Sequence, residues 1–142
     1  MTLRFIGDAP EEQAARYDQA LADVDTRPVH CSPYGLDVLP ARHSPRVLIL
    51  GLERTESIVT LYDAVSEALR SEGLDPEDRT YRPHVTIARL DDADPESVHA
   101  VLREQEARTF APFTADRFVL YESTLTPDGA VYNPRSVYSL SS

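Results

Sequence analysis

The 142-residue sequence contains no lysine and only one cysteine, and each scarcity excludes a kind of chemistry. All fourteen lysine or arginine positions hold arginine, so Schiff-base catalysis and a P-loop lysine are excluded. The single cysteine, Cys31, rules out a disulfide framework and a multi-thiolate zinc site, and it favours a cytoplasmic location. No apolar run approaches the roughly 18 residues of a membrane span, so no membrane partner is expected.

Basic residues are also few relative to acidic ones. The 24 acidic and 14 basic residues give a net charge of −10, which disfavours a non-specific nucleic-acid binder that relies on broad counterion release. A small basic pocket for a single phosphate stays compatible with this charge. The length and the 42% hydrophobic content predict one compact domain over residues 1–142.

Strand-like and helix-like patterns alternate along the chain, which predicts a mixed α+β fold. The segment Ser57–Glu72 is the clearest helix, because its apolar side chains recur at helical spacing and Gly73 follows it. Other helices are predicted after a cap at Asp8 and after Asp94-Pro95. The predicted strands and extended segments are Met1–Ile6, Val29–Leu39, Arg46–Leu52, His84–Leu90, Asp116–Glu122 and Val131–Leu140, with a loop over Pro40–Pro45 and a Pro127-Asp128-Gly129 turn.

An internal repeat links Met1–Ile6 (MTLRFI) with Val85–Leu90 (VTIARL). Each copy is followed by an acidic turn with a proline, an amphipathic helix and an extended segment. In the second copy a strand and a helix come first, and His84 leads directly into the repeat. A genuine repeat therefore predicts a further strand, helix and histidine ahead of Met1, about forty residues in all. The alternative is that two threonine-containing strands are alike by chance.

The string Arg82–Arg89 (RPHVTIAR) resembles the second His-x-Thr-x signature of the 2H phosphoesterase superfamily. More narrowly, the chain resembles the RNA 2′,3′-cyclic phosphodiesterases, also called 2′-5′ RNA ligases. Met1–Gly7 is similar to the first signature without its leading histidine, and Pro45–Gly51 and Phe118–Ser123 also fall where family members have such segments. The resemblance implies two pseudo-symmetric lobes of antiparallel sheet with outer helices around a central cleft, the first lobe being truncated here.

Opening a cyclic phosphate requires one group that takes a proton from water and another that protonates the departing oxygen, and histidine suits both tasks. Thr86 lies two residues after His84, so both side chains point to the same face of a strand. Arg89 would point to the opposite face of a regular strand, and only the resemblance implies that it binds phosphate. By the same resemblance Thr2 and Thr86 join His84 as catalytic residues. Aromatic side chains stack on bases in RNA recognition, so Tyr81 is a candidate for base stacking, and the alternative is a half-buried aromatic before the strand.

The resemblance implies a metal- and cofactor-free hydrolase that converts a 2′,3′-cyclic phosphate to a 2′-phosphate, with 2′-5′ ligation as a related activity. RNA ends or small nucleotides with that cyclic phosphate are the expected partners, and no feature indicates an obligate protein partner. His84 is the expected base and the absent first histidine the acid, with His43 as a less favoured replacement. Two alternatives remain: a non-catalytic module that binds nucleotides or RNA ends, and a 2H enzyme for a different cyclic nucleotide.

Overall fold

The computed structural model describes residues 1–141, and its helices and antiparallel strands confirm the expected α+β class. No helix within that range is both long enough and apolar enough to cross a membrane. The helices are α1 (Glu11–Ala22), α2 (Glu56–Ser71) and α3 (Pro95–Glu104). The strands are β1 (Val29–Cys31), β2 (Pro33–Ala41), β3 (Ser44–Leu52), β4 (His84–Arg89), β5 (Phe113–Ala115), β6 (Arg117–Thr126) and β7 (Gly129–Ser139).

The largest sheet has three antiparallel strands in the order β2-β3-β4, so β3 is its centre. Strands β1 and β5 form a second, short antiparallel pair. Strands β6 and β7 form a long hairpin, and Gly129 at its turn has a φ of 120°, a conformation that L side chains rarely adopt. This hairpin confirms the turn predicted at Pro127-Asp128-Gly129.

Two hydrophobic clusters hold these elements together. The larger one joins α1 and α2 to β1, β6 and β7, and its buried members are Tyr17, Leu21, Val29, Cys31, Ile58, Leu61, Val65, Leu69, Phe118, Tyr138 and Leu140. The smaller one joins Val38 of β2 to Val98 and Leu102 of α3, with Leu48 of β3 packed against it. The helix α3 therefore covers one face of the three-stranded sheet.

The segment Met1–Ile6 forms no strand, so that sequence prediction is wrong. No strand within residues 1–141 pairs with its backbone, and an extended segment becomes a strand only when a neighbour supplies the hydrogen-bond ladder. Other contacts fix its position instead. The Tyr81 hydroxyl donates to the carbonyl oxygen of Thr2 at 2.8 Å, and Arg4 forms an ion pair with Glu77 at 3.3 Å.

Two local predictions also need correction. The N-cap of α1 is Pro10 and not Asp8, and no side chain donates or accepts a capping hydrogen bond there. The expected loop over Pro40–Pro45 is a tight hairpin, because β2 continues to Ala41 and β3 begins at Ser44. Pro40 is tolerated at a register irregularity on the edge strand β2, and Pro45 lies on β3 before the residues that pair with β4, so neither missing N–H breaks the central ladder.

Candidate active site

His84 begins β4 directly after Pro83, whose side chain is fully buried. The Nδ1 atom of His84 lies 2.7 Å from the carbonyl oxygen of Arg82. Because a carbonyl oxygen can only accept, Nδ1 must carry the proton of the neutral ring. The other ring nitrogen, Nε2, is then the acceptor, and it has no hydrogen-bond partner among residues 1–141. The backbone thus prepares His84 to take a proton through Nε2.

Strand register shows which side chains share a face with His84. The ladder pairs Gly51 with His84, Ile49 with Thr86 and Val47 with Arg89. Side chains on a regular strand alternate, so the three β3 residues, two apart from each other, point to one face. Directly paired residues of neighbouring strands also share a face. It follows that His84, Thr86 and Arg89 all lie on the same face of the sheet.

A β-bulge in β4 is what brings Arg89 to this face. Leu48 pairs with Ala88, and the next residue of β3, Ile49, pairs with Thr86. Ile87 is therefore an extra residue with no partner on β3. A bulge inserts one residue on one strand and re-aims the side chains beyond it. A regular strand would put Arg89 on the face opposite to His84. The extra residue Ile87 shifts the alternation by one, so Arg89 lies on the same face as His84.

We call this surface the open face: the face of the β2-β3-β4 sheet that carries His84, Thr86 and Arg89. The opposite face carries Val38 and Leu48 and packs against α3. His84 is half-buried on the open face, while Thr86 and Arg89 are exposed. A histidine, a hydroxyl donor and a guanidinium are thus accessible together, which is a set that can bind and act on a phosphoryl group.

Sequence reasoning missed a side-chain cluster beside His84. Arg82, which the sequence left without a role, donates from Nη2 to the Tyr34 hydroxyl at 3.1 Å and to Asp37 Oδ2 at 3.0 Å. Asp37 is paired with Ile49 in the ladder and so belongs to the open face. No local pattern could have found this cluster, because its members come from β2 and from the segment before β4.

Two arginines lie against the one carboxylate of this cluster, although the chain has a net charge of −10. Asp37 is shared by two arginines, since Arg42 Nε also lies 3.7 Å from its Oδ1. The hydrogen bond to Tyr34 and the neighbouring Asp37 raise the pKa of Arg82 above its ordinary value. Arg89 has no ion pair within residues 1–141, so its charge is available to an anion.

Thr2 and Tyr81 lie together, and neither belongs to β4. The Tyr81 ring stacks on Tyr62 with centroids 4.2 Å apart and planes at 5°, and it packs against the larger hydrophobic cluster. Burial raises the pKa of Tyr81 to about 12. One face of this ring is therefore occupied, and base stacking by Tyr81 stays a prediction for its other face. Thr2 is held through its backbone carbonyl, and the residue before it is Met1.

The other histidines are placed differently. His43 lies in the turn between β2 and β3, whereas His84 pairs with Gly51 at the far end of β3. Seven residues of β3 lie between His43 and Gly51, a separation of roughly 25 Å along the strand, so His43 is not placed to replace the missing acid. His99 Nε2 lies 2.7 Å from the Arg42 carbonyl oxygen. Within residues 1–141, no group of three His, Cys, Asp or Glu side chains is arranged to hold a metal ion.

A sequence profile of the LigT like phosphoesterase family matches residues 50–132, more than half of the chain. The chain belongs to this family. The matched range includes His84, Thr86 and Arg89 of the open face, whereas Thr2 lies outside it. The resemblance drawn from the motif Arg82–Arg89 is therefore confirmed at the level of the family.

Two curated relatives to which the chain is similar carry the same name. The chain is 30% identical over 138 residues to an RNA 2′,3′-cyclic phosphodiesterase of Archaeoglobus fulgidus, covering 97% of this chain and 77% of the relative. It is 31% identical over 136 residues to the protein of the same name from Aquifex aeolicus, covering 93% and 72%. The chain thus spans about three quarters of the length of these relatives.

Solved structures show the same fold. A crystal structure of a Thermus thermophilus protein matches with a TM-score of 0.79 and 23% identity, covering 98% of this chain and 76% of that one. E. coli LigT complexed with 3′-AMP matches with a TM-score of 0.72 and 19% identity, covering 99% and 76%. At these identities the likeness establishes the fold of the LigT-like phosphoesterase and no more.

Proposed function

We propose that the chain opens the 2′,3′-cyclic phosphate at an RNA end and leaves a 2′-phosphate. The observation that carries this proposal is the shared open face of His84, Thr86 and Arg89, with Nε2 of His84 prepared to accept a proton. The relatives named RNA 2′,3′-cyclic phosphodiesterase support the choice of substrate. A 2′,3′-cyclic phosphate on a small nucleotide presents the same chemistry.

The proposed reaction is an in-line displacement at phosphorus. Nε2 of His84 takes a proton from water as its oxygen bonds to phosphorus, and the bond from phosphorus to the 3′-oxygen breaks. The Thr86 hydroxyl donates to a non-bridging oxygen, and the Arg89 guanidinium offsets the negative charge that grows there. No metal takes part in this scheme. A 5′-hydroxyl in place of water would form a 2′-5′ linkage, which is the related ligation.

The departing 3′-oxygen needs a proton from a second group. The repeat assigns that role to a histidine directly ahead of Met1, and the proposal includes it, with residues 1–142 as part of one two-lobed domain. Without a positioned acid, turnover falls by about 10² to 10⁴. The 142-residue chain should therefore turn over slowly, and a version with that histidine and its preceding strand and helix should be much faster. We propose a cytoplasmic location, which the single cysteine supports.

A short RNA with a cyclic end tests the proposal when the product is identified as a 2′- or a 3′-phosphate. In the extended version, His84→Ala should lower turnover by about 10² or more with little change in affinity, because the proton transfer is needed only in the transition state. His43→Ala is the matched control, since it removes an exposed histidine at the other end of β3. Ring opening by the unsubstituted protein and by His43→Ala should persist in the presence of a chelator.

Each other result has a distinct meaning. Binding of the RNA by the extended protein without any ring opening would favour a module that only binds nucleotide or RNA ends. A 3′-phosphate product would show that the 2′-oxygen leaves, so the leaving oxygen is assigned wrongly. Full-speed turnover by the 142-residue chain would mean that one of its own residues supplies the acid.

A further inference from the structure

A second β-bulge lies in β2, the strand that flanks β3 on the side away from β4. In β2 the pairing steps from Pro33–Leu52 to Gly35–Gly51, so Tyr34 is an extra residue. Gly35 has a φ of 139°, in the region that favours glycine. Bulges re-aim a side chain out of the regular alternation. Here the bulge directs the Tyr34 ring across the neighbouring strand β3.

Gly51 is the residue over which this ring lies. A Cβ placed on Gly51 would collide with Cζ and the hydroxyl oxygen of Tyr34. The backbone of Gly51 is not among the positive-φ glycines, so the close approach of the ring, and not a backbone conformation, requires glycine here. Because Gly51 pairs directly with His84, the Tyr34 hydroxyl lies beside His84 on the open face.

The hydrogen bonds of Tyr34 determine what its hydroxyl can still do. Arg82 Nη2 donates to the hydroxyl oxygen, and Asp37 anchors the same guanidinium at 3.0 Å. An arginine can only donate, so the phenolic hydrogen must point to some other acceptor. No acceptor for it is found within residues 1–141, and the residue is 49% exposed. Tyr34 therefore presents an unused O–H donor next to His84.

We propose that the Tyr34 hydroxyl donates a hydrogen bond to an oxygen of the phosphate bound beside His84. The proposal rests on the proposed function, since it assigns a further ligand to the same phosphate. Thr86 then approaches the phosphate from β4, and Tyr34 approaches it from above β3. Tyr34 is a substrate-binding residue in this arrangement, and Gly51, Arg82 and Asp37 are positioning residues that act through it.

The test measures binding of two probes, inorganic phosphate and adenosine 2′-monophosphate, to the 142-residue chain. Tyr34→Phe keeps the ring and removes only the hydroxyl, so both probes should bind about tenfold more weakly, as for a lost hydrogen bond to a charged group. Tyr121→Phe is the matched control, because Tyr121 is 56% exposed on β6. Its affinity for both probes should not change.

A double-mutant cycle checks the geometry. Gly51→Ala should weaken phosphate binding in the native chain by displacing the ring, and it should have no further effect when Tyr34 is already alanine. An equal effect of Gly51→Ala in both backgrounds would overturn the positioning role of Gly51. Unfolding midpoints of all the variants establish that each one is folded.

The remaining outcomes separate this inference from the proposed function. Arg89→Ala reports on the phosphate site itself. If Arg89→Ala weakens phosphate binding and Tyr34→Phe does not, the proposed site stands and the role of Tyr34 is overturned. If Tyr34→Ala weakens only the nucleotide while Tyr34→Phe weakens neither probe, the ring stacks on the base and the hydroxyl proposal is wrong. If neither arginine nor tyrosine variant changes binding, both proposals fail.

Discussion

Met1–Ile6 and Val85–Leu90 are similar in sequence and are placed very differently in the structure. The second segment lies largely within β4, paired along its length with the central strand β3. The first has no strand partner within residues 1–141 and is held by contacts at Thr2 and Arg4. The local sequence therefore determines which side chains alternate along a segment. Only pairing with a neighbouring strand makes that segment part of a sheet, with its side chains on a defined sheet face.

Two pairs of residues show the consequence: the one arginine of each segment, which differ by one position in the repeat, and the aligned residues Leu3 and Ile87. Arg4 is 10% exposed at its side chain and forms an ion pair with Glu77, while Arg89 is exposed on the open face. Leu3 packs against the larger hydrophobic cluster, while Ile87, the bulge residue, is 53% exposed. In the first segment these side chains stabilise the fold. In the second they leave the open face accessible to a ligand.

The largest expected difference concerns the two arginines. Arg89→Ala should weaken phosphate binding by about 10- to 100-fold, because it removes charge-assisted hydrogen bonds to the anion. Turnover should fall together with affinity, since the charge is present in both ground and transition states. Arg4→Ala should leave the affinity unchanged and should lower the free energy of unfolding by about 1 kcal/mol. Calorimetric titration with phosphate and urea denaturation measure the two effects.

The arginine comparison can fail in a definite way. Loss of phosphate affinity in Arg4→Ala, with none in Arg89→Ala, would show that the first segment and not β4 carries the phosphate site. The salt dependence adds a second check, because a site for one or two phosphates should weaken only modestly as ionic strength rises.

A smaller difference is expected for the apolar pair. Leu3→Ala should lower the free energy of unfolding by about 1–2 kcal/mol, less than the roughly 2–5 kcal/mol of a fully buried leucine. Ile87→Ala should change it by about 0.5 kcal/mol or less, because the side chain is mostly in solvent. Urea denaturation of both variants compares them directly. A greater destabilisation by Ile87→Ala would contradict the assignment of Ile87 as the exposed bulge residue.

Features that depend on local pattern could be predicted from the sequence. The helix α2 follows from its buried stripe of Ile58, Leu61, Val65 and Leu69, and Thr55 caps it by accepting from the N–H of Ile58. The strand β3 follows from a short apolar run, and β4 from the motif that begins at His84. These predictions needed no knowledge of the neighbouring strands.

Features that depend on pairing could not be predicted. The extra residue Ile87 is a property of the ladder between β3 and β4, and a single strand sequence does not show it. The position of Tyr34 over Gly51 joins residues 17 apart through a bulge, so no periodicity reveals it. The sequence thus identified His84 and Thr86 as a pair, while the structure added Arg89 to their face and Tyr34 beside them.

The most direct test of the account is a crystal structure of the chain with adenosine 2′-monophosphate. The phosphate should lie on the open face, with its oxygens within hydrogen-bond distance of Nε2 of His84 and the Thr86 hydroxyl and near the Arg89 guanidinium. A phosphate bound elsewhere in a structure that leaves this face empty would contradict the claim that β4 carries the site.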